Sequence, residues 1–278
     1  MRSRLHQPAR TPLSLPALAI VLLTWISFAL APAAVRAAGA ADFSLQLSSS
    51  SPNSPTGLAT HLLLRNTSDP KAKPPALQSA VIHGPRGLRF DSSAAPECTA
   101  SATQIQLLGP NACPADSRLT VGSFSAMSGF GPPIDPLVGD DHVFNGASEL
   151  IEIITFPGTS LSPASDHLRI NGSTITAKPP TVPGGPPDGK MSVRSIDFRI
   201  PPVVSSTGGS LITTPRLCPA SGQWTTTATF DFQDGSTATA SSRTPCRSGV
   251  QRTGTRAHVR SRPRQRSHPR PRRHRPRQ

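Results

Sequence analysis

Tyrosine is missing altogether from the 278 residues of this chain, and beyond the first 40 the only tryptophan is Trp224. A surface that stacks bases or sugars needs several exposed rings, so such a platform is disfavoured. Nucleophile signatures are missing too. No G-x-S-x-G occurs, and the nearest string, Gly146-Ala147-Ser148-Glu149-Leu150, lacks its second glycine and runs into an apolar stretch. Between the termini the histidines are His61, His83, His142 and His167, and nothing in the sequence selects one to activate a serine. There is no D-x-D-x-D-G calcium loop. The densest acidic clusters, Asp140-Asp141-His142 and Asp166-His167, read as solvated loop charge. Glu149 and Glu152 stand three apart on a strand, hence on opposite faces, where they cannot work as an acid/base pair. No catalytic, cofactor-binding or metal-ligating residue is therefore expected, and no cofactor.

Acidic residues are absent from the last 32 positions, which alters the meaning of the net charge of +14. Four arginines (Arg2, Arg4, Arg10, Arg36) precede residue 41, and twelve fall in 247–278. The remaining 13 Lys and Arg face all 15 acids, a net of −2. The body is nearly neutral, and the basicity belongs to the tail. Arginine at every second or third position, interleaved with proline and without an apolar face, predicts a disordered polycation over 247–278. Guanidinium groups pair with phosphate and carboxylate. Arg260, Arg262, Arg264, Arg266, Arg270, Arg272, Arg273, Arg275 and Arg277 are the candidate polyanion-binding residues. Anionic cell-wall polymers, other polyanions or stray nucleic acid would be the partners.

Long apolar runs are confined to the beginning. A basic start, an apolar core over Leu13 to Leu30, and small residues at Ala37 and Ala40 read as a signal peptide over 1–40, cleaved after either alanine or kept as an anchor. The expected location is extracellular, secreted or associated with the envelope. Four cysteines accord with export. Cys98 and Cys113 are close in sequence, as are Cys218 and Cys246, so sequential pairing is favoured over the two alternatives. Neither pair has the C-x₂–₄-C spacing of zinc ligands.

The remaining 41–246 carries about ten to twelve short strand patterns separated by turn signals. Trp224, Thr226, Ala228, Phe230 and Phe232 share one face of a period-two strand. Asp234-Gly235 then reads as a type I′ turn, and Asn171-Gly172 as a second tight turn. Other strands are expected at 43–47, 58–65, 77–83, 88–90, 119–124, 143–144, 148–156, 167–170, 173–178, 191–200 and 211–213. Residues 125–141 read as loop. One short helix is expected near 99–108 with Thr99 as its cap. The Pro-rich 179–189, a candidate sub-boundary, offers too few backbone donors for a ladder or a phosphate cradle. Asn66-Thr67-Ser68 and Asn171-Gly172-Ser173 fit the glycosylation pattern, although a turn explains both asparagines. The fold class expected is all-β, an antiparallel β-sandwich, as one large or two fused small units.

D-P-K-A-K-P-P-A-L, G-P-R-G-L-R-F-D, P-E-C-T…C-P-A-D-S-R-L-T-V-G, P-G-G-P-P-D-G and C-P-A-S-G-Q-W…F-Q-D-G…C together span most of 57–246. They resemble an uncharacterised family of secreted, disulfide-stapled all-β proteins of high-GC actinobacteria. The resemblance implies a setting and no activity, so no site residue is carried over from it. The functional expectation is an exported, non-catalytic protein held at the envelope by its tail. A secreted hydrolase or carbohydrate-active enzyme with a dispersed site is the alternative, and polyanion binding through the tail the third.

Overall fold

A computed structural model describes residues 41–247. The expected signal peptide, and the tail from residue 248 with its nine candidate arginines, lie outside the described residues. The strands are β1 Ala41–Leu47, β2 Leu58–Leu64, β3 Leu77–His83, β4 Arg89–Phe90, β5 Arg118–Met127, β6 Leu137–Gly146 and β7 Glu149–Thr155. They continue as β8 Ala164–Asn171, β9 Thr174–Ala177, β10 Ser192–Ile200, β11 Ile212–Thr213, β12 Gln223–Phe232 and β13 Thr237–Pro245. Eleven form one antiparallel sheet in the order β1-β2-β10-β5-β6-β7-β8-β9-β3-β12-β13, and β4 pairs with β11 separately. The all-β antiparallel expectation is met by this large, nearly closed sheet. Strands from before and after 179–189 belong to it alike.

The two edge strands, β1 and β13, meet through side chains. Ser242 Oγ accepts from Leu45 N at 3.0 Å and donates to Leu45 O at 2.9 Å. Thr244 Oγ1 accepts from Leu47 N at 3.1 Å. Backbone groups left unpaired at a buried edge are costly, and these two hydroxyls satisfy them. Alternation then places one face of every strand inside. Phe43, Leu45 and Leu47 of β1, Leu58, Leu62 and Leu64 of β2, and Trp224, Ala228, Phe230 and Phe232 of β12 belong to one buried cluster. Thr225, Thr227 and Asp231 lie on the other face of β12, as its pattern predicts.

A second apolar layer sits outside the sheet. The helix α1, Ala102–Leu108, buries Ile105 against Phe144, Ile151 and Ile153. β7 is therefore covered on both faces, which explains why E-L-I-E-I-I-T does not alternate cleanly. The cap of α1 is Ser101 rather than Thr99: Ser101 Oγ accepts from Gln104 N, and Gln104 Oε1 accepts from Ser101 N at 2.8 Å, a reciprocal capping box. Cys98–Cys113 brackets this helix, and Cys218–Cys246 closes the base of the β12–β13 hairpin, the sequential pairing. Each bridge adds roughly 3 kcal/mol by limiting the unfolded chain.

Three local expectations change. The β12–β13 turn has positive φ at Gly235 alone, with Gly235 N donating to Phe232 O and Phe232 N to Ser236 O. That is a three-residue loop with a glycine bulge, not a type I′ turn, and Asp234 Oδ1 stabilises it by accepting from Ser236 N at 2.8 Å. In the β8–β9 hairpin Asn171 pairs with Thr174, so the central residues are Gly172 and Ser173, with Gly172 at φ 60°. Finally, 125–141 is not all loop. β5 runs on to Met127 and β6 begins at Leu137. Asp140 and Asp141 are strand residues.

Candidate functional site: a carboxylate cluster in the sheet interior

Register decides which acids face inward. On β6, Asp141, Val143 and Asn145 share a face and lie opposite Ile154, Glu152 and Leu150 of β7. On β8, Asp166 lies opposite Glu152, and Leu168 opposite Leu150. Val143, Leu150 and Leu168 are in the main core cluster, so this is the inner face. Three neighbouring strands thus each direct a carboxylate into the interior. The reading of Asp141 and Asp166 as solvated loop charge is overturned. Both sit on strands, and Asp141 is 0% exposed.

None of the three has an adequate set of donors. Neither oxygen of Asp141 has a hydrogen-bond partner. Glu152, 5% exposed, makes no hydrogen bond or ion pair with any described residue. Asp166 accepts from His167 N at 2.8 Å and from the backbone N–H of Lys178. Burial disfavours the charged form of a carboxyl group. Desolvation pushes Asp141 up to about 7. Desolvation, with the like charges of Asp141 and Asp166, holds Glu152 well above the usual carboxylate range. Desolvation also raises Asp166, against the hydrogen bonds from His167 and Lys178 and the charge of His167.

Glu152 and Asp166 form part of the wall of a cavity of about 180 Å³. The rest of that wall is apolar. Phe43, Leu62, Phe124, Ile154, Ile196 and Phe230 come from six different strands, and Ala80 and Ala177 from two more. At one end the wall is completed by Leu161 and Ser162 after β7 and by Pro179, Pro180 and Val182 after β9. Leu161 is also 42% exposed, so the cavity reaches solvent beside it. Among the described residues no Lys, Arg or His contributes to the wall.

The segment after β9 is fastened by a buried cation. Lys73 Nζ donates to Gly185 O at 3.1 Å, to Asp188 Oδ1 at 2.5 Å and to Lys190 O at 2.6 Å. Gln233 Nε2 donates to Thr181 Oγ1 at 3.1 Å, and Lys190 Nζ donates to Gln233 Oε1. The proline-rich stretch is therefore a fixed rim.

The four described histidines, His61, His83, His142 and His167, are elsewhere, on outward faces. His61 Nδ1 lies 2.5 Å from Asp197 Oδ1, with the two side chains 43% and 45% exposed. His167 Nδ1 lies 3.0 Å from Glu149 Oε1, and His83 Nδ1 3.1 Å from Thr174 Oγ1. His142 Nε2 is 3.4 Å from Thr155 Oγ1; burial lowers its pKa, with Asp140 opposing and Arg118 adding to the shift. Ser148 has a positive φ of 60°, yet it sits on the β6–β7 turn while His167 pairs with Ile151. Three residues of strand separate them, roughly 10 Å. Glu149 faces out and Glu152 in, as their spacing requires. Among the described residues no group of three or more His, Cys, Asp or Glu is placed to hold a metal ion, and no helix is long and apolar enough to cross a membrane. The two disulfides point to an oxidising environment.

The acidic cluster left one trace in the sequence. In L-I-E-I-I, residues 150–154, a single charge stands inside an otherwise apolar stretch, the mark of a buried acid. Asp141 and Asp166 carried no such mark, because their neighbours His142 and His167 are polar. No known family model matches the chain, and neither a curated protein nor a solved structure matches it.

Proposed function

We propose that the chain is an exported, non-catalytic binding protein that takes a small apolar molecule into the interior of its sheet. The observation that carries this reading is the apolar cavity of about 180 Å³ that reaches solvent beside Leu161. A dry apolar cavity of about 150 Å³ is enough to hold benzene, so a ligand of six to eight heavy atoms fits this space. On this view the sheet is a barrel around a site rather than the two-layer sandwich that strand spacing suggests. A sandwich would fill the same space with side chains. The body is tested with an environment-sensitive apolar dye. Binding at about one site, displaced by benzyl alcohol and lost in Ala177→Leu, supports the reading. A folded body that binds no apolar probe removes it.

The tail belongs to the same proposal as an electrostatic tether to envelope polyanions. Protein stopped after Arg247 should wash from cells at low salt, while the full chain stays until high salt, because polycation binding falls steeply with ionic strength. Equal partitioning of both forms would leave the tail without that role.

A further inference from the structure

Apolar walls explain why a ligand would enter, and they leave the acids unexplained. Among the described residues the cavity wall contains two titratable side chains, Glu152 and Asp166, and no cationic one. Behind them Asp141, fully buried, has two carboxylate oxygens without a partner. Glu152 is itself 95% buried by its 5% exposure, makes no hydrogen bond or ion pair with any described residue, and lines the cavity directly. An unpaired polar group inside a protein costs several kcal/mol, and a single acid would be an isolated cost. Here three sit on adjacent strands, β6, β7 and β8, around one wall of one cavity. The same chain shows how it treats a buried charge that only holds structure together: Lys73 is given three acceptors. Among the described residues no Lys, Arg or His lines the cavity beside the interior acids, and only Asp166 feels a nearby cationic charge, that of His167.

We propose that the ligand is a small apolar amine, whose ammonium group rests against the carboxylates of Glu152 and Asp166 while its hydrocarbon body fills the apolar cavity. This rests on the binding-protein reading above and names its ligand class. An ammonium group donates three hydrogen bonds and matches Glu152, which has no donor among the described residues, together with the remaining acceptor capacity of Asp166, which already accepts from two backbone N–H groups. Its charge also offsets the repulsion that Asp141 and Asp166 exert on Glu152 and the desolvation that raises all three acids. The titratable groups facing the ammonium are Asp141 from β6, Glu152 from β7 and Asp166 from β8, while His167, on the outer face of β8, acts on Asp166 only through its charge. The wall residues of β1, β2, β3, β5, β9, β10 and β12 are not titratable.

Three probes with one hydrocarbon body separate the possibilities: hexylamine, 1-hexanol and hexanoate, titrated calorimetrically into the full chain at pH 7.5. Hexylamine should bind about tenfold or more tighter than 1-hexanol, with hexanoate weakest. Amine binding should release protons, seen as a heat that changes between buffers of different ionisation enthalpy, and alcohol binding should not. Glu152→Gln should lose the preference for the amine while keeping 1-hexanol, and Asp166→Asn serves in its place if that variant does not fold. Equal affinity for amine and alcohol, or a preference for hexanoate, overturns the amine assignment and leaves the apolar-binding reading standing. If none of the three binds and the dye does not bind either, both readings fall together.

Discussion

Six residues separate Asp135 from Asp141, and the fold treats the two carboxylates in opposite ways. Asp135, in the turn between β5 and β6, accepts from Ser128 N at 2.6 Å, Ser128 Oγ at 2.7 Å, Gly129 N at 2.8 Å and Gly131 N at 2.9 Å. Partial burial pushes its pKa up, and these hydrogen bonds outweigh that and hold it below the usual range. Asp141 accepts nothing, and burial pushes it to about 7. One acid organises a loop and gains stability from being charged. The other is a standing cost to the fold, of the kind that persists where something outside the fold repays it. Donor count, more than sequence position or acidity, separates a structural carboxylate from a candidate binding one.

Removing the structural acid should have the largest effect. Asp135→Ala leaves four donors of the 128–131 turn without their acceptor, and should destabilise the body by about 3 kcal/mol in urea unfolding at pH 7. A loss under 1 kcal/mol would mean that water replaces the carboxylate easily and the contrast is shallow. Removing the interior acid should go the other way. Asp141→Asn, which mimics the protonated form, should raise stability by about 2 kcal/mol at pH 7.5 and change little at pH 4. The sign follows from proton binding. Between pH 4 and 7 the native protein holds the Asp141 proton and the unfolded chain does not, so native stability falls as pH rises through that window and levels off above it. A variant that is destabilised equally at both pH values would show that Asp141 makes a contact that the Asn cannot replace.

The wild-type protein should combine both behaviours in one profile. Asp135 and Asp188, held low by hydrogen bonds that outweigh their desolvation, contribute stability that is lost as pH falls below 4. Asp141, Glu152 and Asp166 weaken the fold as pH rises from about 4 towards 7. Denaturant midpoints measured from pH 3 to 8 should therefore peak between about pH 4 and 5.5, below the neutral optimum of many proteins. A plateau reaching pH 8 would mean that water or a cation already compensates the interior acids.

How far this was legible in the sequence depends on which residue is asked. Period-two alternation in Trp224 to Phe232 placed that strand and its inner face correctly, because the core imposes the pattern directly. The cysteine spacing yielded both bridges. The turn at Asp234-Gly235 was located, but its type was not, since Asp-Gly is compatible with a glycine-bulge loop as well as with type I′. The strand β6 was read as loop up to residue 141 because glycine and acids dominate 139–141. Their strand pairing comes from neighbours in the folded sheet rather than from local preference. Gly139 is there because a side chain would meet Thr155 O at 2.2 Å, a constraint with no local signature. The interior acids were missed for the same reason. A carboxylate in a polar neighbourhood reads as solvated until the opposite strands are known, and only Glu152, among isoleucines and a leucine, carries a local mark of burial, which its reading as one member of an unusable acid/base pair passed over.

The finest test of the comparison takes one donor away from the satisfied acid. Ser128→Ala removes the hydroxyl that donates to Asp135 Oδ1 and leaves the three backbone donors in place. Asp135 should then move back towards its ordinary pKa, and the body should lose about 1 kcal/mol at pH 7. That loss should shrink as pH falls through the lowered pKa of Asp135, where the carboxyl becomes protonated and the hydroxyl no longer contacts a charge. The two curves of stability against pH should converge on the acid side and run parallel above pH 5. If they stay apart even where Asp135 is protonated in both forms, the serine acts through packing or through the hydrogen bond it accepts from Phe130 N. The low pKa of Asp135 would then rest on the backbone donors alone, and the difference from Asp141 would come from loop geometry rather than from the number of donors.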